Sequence, residues 1–137
     1  MKLPKADNFL RPLWSLSAIF MMTFGLVSNA SAHGGRGING GQLVDSGGNH
    51  VELIGAAGDE ILMVALTDKT QKPISISGIV AYISVERAGE NVRFLLQNSG
   101  MNILLAPVNP HLVAGEKLRF VAKLHGGVVV SAQFTTN

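Results

Sequence analysis

From residue 42 onward the chain alternates short apolar runs with turn signals, and most of the runs repeat with period two. Asn49–Ile54 places Val51 and Leu53 on one face and His50, Glu52 and Ile54 on the other. Asn91–Gln97 sets Val92, Phe94 and Leu96 inward and Arg93 outward. Lys117–Leu124 directs Leu118, Phe120, Ala122 and Leu124 to a core, and Val128–Phe134 answers with Val128, Val130, Ala132 and Phe134. Between these last two runs His125-Gly126-Gly127 turns the chain, and a Gly-Gly pair between alternating runs is a hairpin signal.

Gln42–Asp45, Ser77–Val85 and Met101–Ala106 read as further strands. Glu60–Thr67 is apolar at nearly every position, which predicts a central strand covered on both sides. The connection holding Pro107, Pro110 and His111 is too rich in proline for a strand. The tail Thr135–Asn137 is expected to fray. Seven or eight short strands, with no 3.6-residue period long enough for a helix, predict an all-β protein, an antiparallel β-sandwich.

Residues 1–32 follow a different pattern, that of a secretory signal. Lys2, Lys5 and Arg11 precede the apolar stretch Leu13–Val27, and Ala30-Ser31-Ala32 is a small-x-small cleavage site. Fifteen residues fall short of the roughly 20 that a bilayer-spanning helix requires. The small-residue exit therefore favours removal after Ala32 over a retained anchor, and no cysteine follows to carry a lipid. The expectation is a periplasmic chain of 105 residues, 33–137, folded as a single domain and free of the membrane once cleaved.

Cleavage changes the charge. The whole chain has 11 basic and 9 acidic residues and a pI near 9.2. Removing Lys2, Lys5, Arg11 and Asp7 leaves 11 less 3 basic and 9 less 1 acidic residues, eight of each. No basic face of the kind a nucleic-acid binder needs is left. The chain contains no cysteine, which excludes disulfides, thiolate metal sites and thiol catalysis.

Catalytic constellations are equally scarce. The glycine cluster lacks a phosphate-loop pattern and a following helix. The acids Asp45, Asp59, Asp68, Glu86 and Glu90 lack the spacing of a calcium loop. No serine stands in a nucleophile elbow. A copper oxygenase built on an N-terminal histidine would have little surface left for a polymer substrate. The expectation is a protein that is not an enzyme.

Four histidines carry the specialised chemistry, and all follow the cleavage site. His33 would become the first residue, offering its α-amine and ring Nδ1 to one ion; the amine titrates near ~7.7–8, so proton competition at neutral pH is modest. Such nitrogens suit Cu(II) first and Zn(II) next. His50 and Glu52, two apart on a strand, lie about 6.6 Å apart on one face and could converge on the same ion. A solvent-facing polar strip explains the same pair without a metal. His111, beside Pro110, and His125, in a tight turn, are further candidate ligands if their loops lie at the same end. Met63 and Met101 could bind Cu(I), but both fall where core packing is expected.

Three stretches, His33-Gly34-Gly35, Gly40-Gly41-Gln42-Leu43-Val44-Asp45 and His50-Val51-Glu52-Leu53, resemble small exported proteins associated with heavy-metal efflux and the start of the periplasmic adaptor subunits of such pumps. A cleaved N-terminal histidine on a β-sandwich is also similar to periplasmic copper-resistance proteins of the C type. The resemblance implies an Ig-like sandwich and a role in holding or delivering Cu(II) or Zn(II), with a periplasmic efflux or envelope protein as partner. It extends to His33, His50 and Glu52 alone. The C-type proteins carry Asp-Gly-His near the last hairpin, where this chain has Leu124-His125-Gly126-Gly127, and the adaptors' coiled-coil hairpin is absent. The competing expectation is an envelope β-module that docks a protein through an edge strand, its histidines incidental.

Overall fold

Alternating apolar residues need a partner surface for their inward face, and in this chain one sheet supplies both surfaces. The computed structural model describes residues 35–137; the expected signal segment and His33 lie outside them. Nine strands follow in order: β1 (Gly35–Arg36), β2 (Gln42–Ser46), β3 (Asn49–Ile54), β4 (Ile61–Asp68), β5 (Val80–Arg87), β6 (Glu90–Asn98), β7 (Ile103–Pro107), β8 (Lys117–Lys123) and β9 (Val129–Thr135). A single 3-10 turn, His125–Gly127, joins the last two. All neighbours are antiparallel, in the order β1-β2-β3-β4-β7-β6-β5-β8-β9. The all-β expectation holds, with the two-residue β1 as an element that the hydrophobic pattern does not reveal.

Strand β6 lets the sheet curl. Its residues Glu90–Leu96 pair with β5, and its last two, Gln97 and Asn98, pair with β7. One strand thus serves both halves, and both turn their apolar faces onto one core. Val51, Leu53, Leu62, Val64, Leu66 and Leu104 come from one half, and Ala81, Ile83, Phe94, Leu118, Phe120 and Phe134 from the other. Where the ends of the curl meet, polar side chains on the inner face of β2 engage the free edge of β9. Gln42 Nε2 donates to the Thr135 carbonyl at 2.7 Å, and the Ser131 amide donates to Ser46 Oγ at 3.2 Å. Both bonds flank the buried Val44 and tie the two ends of the curl together.

Several expectations are corrected by packing. Met63 and Met101 are exposed, at 36% and 81%, since position 63 shares the outward parity of β4 and Met101 sits on the turn before β7. The coverage predicted for both faces of β4 holds for Ala65 and Thr67 but not for Ile61 and Met63. Val128 is exposed because the 3-10 turn delays β9 by one residue. The tail is tied down. Thr136 is buried, its amide donates to the Glu116 carbonyl, its hydroxyl bonds the Val113 carbonyl, and the Ala57 amide donates to the Asn137 carbonyl.

The same end of the molecule is held by an ion pair. Arg87, at the end of β5, donates to both oxygens of Glu116 at 2.7 and 2.9 Å, and to the carbonyls of Pro110 and His111. Glu116 also accepts the Val113 amide. These bonds fix the long connection between β7 and β8. The hydrogen bonds from Arg87 hold the Glu116 carboxyl below its ordinary value, and those bonds in turn hold the guanidinium above its own. A carboxyl depressed on folding contributes stability that is full above its unfolded pKa, near ~4.3, and is lost as pH falls through the folded value. The Glu116→Gln variant is therefore expected to unfold about 1–2 kcal/mol more easily at pH 7, with a flatter decline below pH ~4.5 than the parent chain. Urea titrations at pH 7 and at mildly acid pH, followed by circular dichroism, measure both effects; parallel acid limbs would contradict the assignment.

Candidate functional site

The β2–β3 hairpin builds the candidate site. Gly47 and Gly48 take φ of 60° and 85°, the positive pair of a two-residue turn whose twist suits a hairpin. That turn sets the register, pairing Ser46 with Asn49, Asp45 with His50 and Leu43 with Glu52. On the outer face the neighbours across β4 are Thr67 beside His50 and Ala65 beside Glu52. His50 and Glu52 thus share a face, as the period-two pattern predicts.

Their roles separate at once. Glu52 is 3% exposed, a carboxylate buried beneath the turn that follows β1. Its Oε1 accepts the Asn39 amide at 2.9 Å and the Gly41 amide at 2.8 Å, and its Oε2 accepts Asn39 Nδ2 at 2.9 Å. A buried carboxylate is tolerable only when donors replace its water, and here three do. The glycines make the close approach possible. A Cβ on Gly37 would fall 2.0 Å from Glu52 Cδ, and one on Gly41 would fall 2.2 Å from the Leu53 carbonyl oxygen. Glu52 is a clamp that holds the glycine-rich segment over β3, and both of its oxygens already have partners.

His50 turns instead to Asp45. Its Nε2 stands 2.8 Å from Asp45 Oδ1, with the imidazole 18% and the carboxylate 79% exposed. A cleft of about 260 Å³ opens beside the pair, lined by Arg36, Leu43, Thr67 and Gln71 together with His50 and Glu52. Gln71 is set there by the turn after β4, where the Asp68 carboxylate accepts the amides of Thr70 and Lys72 and the Thr70 hydroxyl. The hydroxyl bond, first, and the Lys72 amide hold the Asp68 carboxyl below its usual range.

The other candidate ligands lie elsewhere. His111 is exposed, with its ring Nδ1 3.4 Å from the Asp59 carbonyl and its own carbonyl held by Arg87. His125 is exposed in the 3-10 turn, two residues beyond Lys123, which pairs with Val80. Arg87 and Val80 are the two ends of β5, so these histidines belong to opposite ends of a strand roughly 24 Å long. They cannot share an ion. Among the described residues no three His, Asp or Glu side chains converge on a metal position; His33 lies outside them. The pair that the fold does assemble is Asp45 with His50.

Asp45 is the residue that the sequence pattern passes over. The Gly-Gly turn carries the signal that would have found it, because two residues between strands put Asp45 directly opposite His50. Asn39 is a second omission, and nothing local in the sequence marks it as a partner of Glu52.

Compared with models of known protein families, with curated proteins and with solved structures, the chain matches none. The reading of its site therefore rests on residues and geometry.

Replacing Glu52 by Gln turns an amide nitrogen onto donors already in place. The variant is expected to lose about 2 kcal/mol, or roughly 10 °C in Tm for a domain of this size. Gly41→Ala should cost more, because its clash is with backbone. Glu60→Gln, on an exposed side chain without a partner among the described residues, should stay within about 0.5 kcal/mol. Thermal unfolding by circular dichroism gives the ranking, and an E52Q variant as stable as E60Q would refute the clamp.

Proposed function

We propose that the mature chain is a non-enzymatic periplasmic protein that holds Cu(II) or Zn(II) on the outer face of β1, β2 and β3, for delivery to or buffering beside an efflux or envelope partner. The observation that carries this reading is the Asp45–His50 pair at 2.8 Å, standing at the end of β2 nearer the N-terminal residue of β1. The ladder pairs Arg36 with Gln42 and Gly35 with Leu43. Position 33 lies two residues before Gly35 in the chain, and Gly35 pairs with Leu43, two residues before Asp45. Two residues of chain reach at most ~7 Å, which is the length of β2 between Leu43 and Asp45. The α-amine and ring of His33, the His50 ring and the Asp45 carboxylate would then surround one ion.

Of the two roles open to Glu52, ligand or orienting group, its hydrogen bonds support the second. It anchors the segment that carries His33, which is the work of a group orienting ligands rather than binding metal. His111 and His125 fall outside this site. The Ig-like sandwich belongs to the same proposal. What supports it is that the two halves of the curled sheet face each other across one core.

A second reading, an envelope β-module that docks a protein, draws on the exposed Ile61 and Met63 of β4 and Leu95 of β6, apolar residues on the outer face. The two readings differ in one measurement. Calorimetric titration of Cu(II) and Zn(II) into an untagged chain beginning at His33 is expected to give one-to-one binding. One extra N-terminal residue, His50→Ala or Asp45→Asn should each weaken it at least tenfold, while His111→Ala and His125→Ala leave it within about twofold. Weak binding without a stoichiometry, or loss confined to the last two variants, would overturn the metal reading.

A further inference from the structure

A second and larger cleft lies on the other side of β1, where the curled sheet fails to close. Its volume is about 570 Å³, within the usual range for ligand sites. One wall is β1 and the start of β2, with Arg36 and Gln42; the other is the end of β9 and the start of β8, with Gln133, Thr135 and Lys117.

Two strand edges face this space. In an antiparallel ladder alternate residues direct both backbone groups to the same neighbour. The Gly37 amide donates to the Gly41 carbonyl, so the odd-numbered residues at β1 face β2 and Arg36 turns its N–H and C=O the other way, onto the cleft. On β9 the Ser131 amide and the Thr135 carbonyl point away from β8, toward Ser46 and Gln42. Gln133 has the same parity, so its N–H and C=O also point from β8 toward the cleft, as does the Thr135 N–H. Among the described residues none supplies these groups with a backbone partner. The charged side chains lining the cleft are Arg36 and Lys117, both exposed, with no Asp or Glu among them; Asn137 lines it as well.

We propose that this cleft accepts an extended acidic segment of a partner protein, which pairs as a strand with Gln133 and Thr135 of β9 and with Arg36 of β1 while its carboxylates meet Arg36 and Lys117. Strand addition provides main-chain hydrogen bonds for affinity, and the two cations provide the preference for acidic side chains. The proposal deepens the protein-docking reading; of its two cations Arg36 also borders the cleft beside His50, and Lys117 lines this cleft alone.

The test uses the mature chain labelled with ¹⁵N and three capped octapeptides: alternating Glu-Thr, alternating Lys-Thr, and Glu-Thr N-methylated at alternate amides. The Glu-Thr peptide is expected to shift the amide resonances of Arg36, Gln133 and Thr135. Its affinity should fall at least tenfold in the Arg36→Glu, Lys117→Glu double variant and at least tenfold on N-methylation, while the Lys-Thr peptide leaves the spectrum unchanged. Metal binding measured on the Lys117→Glu single variant should persist, which separates this failure from that of the metal site. Equal binding of the N-methylated peptide would reduce the cleft to a charge contact and overturn strand pairing. So would equal binding of the Lys-Thr peptide, no shift at all, or the same shifts arising from self-association without peptide.

Discussion

Among the described residues the sheet has one apolar face and neither a disulfide nor an α-helix to cover it, so it must cover itself. That constraint governs this chain. The solution is to pair β6 with β5 along most of its length and with β7 at its tip, which bends nine strands far enough to bring Val51, Leu53 and Leu62 onto Ile83, Phe120 and Phe134. The hydrophobic effect acts on the whole inner face at once, and close packing of those side chains fixes one curvature. The connection between β7 and β8, which carries no strand of its own, is then free to be organised by polar contacts, chiefly the Arg87–Glu116 pair and the buried Thr136.

Curling creates a second problem, because an open sheet has two edges. At β9 the chain answers with side chains rather than backbone, using Gln42 and Ser46 on the inner face of β2. At β2 it answers with β1, a strand of two residues that has no hydrophobic signature and exists because Glu52 holds the following turn in place. One buried carboxylate thus determines where the glycine-rich segment lies. It also sets the walls of both clefts, since β1 borders the Asp45–His50 face on one side and the unclosed seam on the other.

This arrangement divides the polar residues by task. Glu52 and Glu116 are structural, each engaged by several donors, and Asp68 shapes a turn. Among the described residues Asp45 and His50 are bound only to each other, with His50 bordering a cleft, and Arg36 and Lys117 line a cleft that no Asp or Glu side chain lines. The distinction between engaged and available groups is what directs function to the two faces of β1.

The sequence by itself determined the element type and nearly every strand position, because period-two alternation follows from the geometry of a pleated strand whatever the surrounding fold. Asn49–Ile54 is a strand with the faces that the pattern assigns, and Phe94, Phe120 and Phe134 are buried as it predicts. It also located the turn at Gly126-Gly127, where both glycines take positive φ without strain. What it could not determine was the use of each outward residue, because that depends on which segment comes to rest above it. Glu52 and His50 are alike in parity, yet Asn39 and Gly41 arrive over one and Asp45 stands beside the other. Met63 and Met101 read as core residues by type, but the curl leaves them outside. Parity is a local property of the backbone; coverage is set by contacts between residues far apart in the chain, and only the tertiary structure decides it.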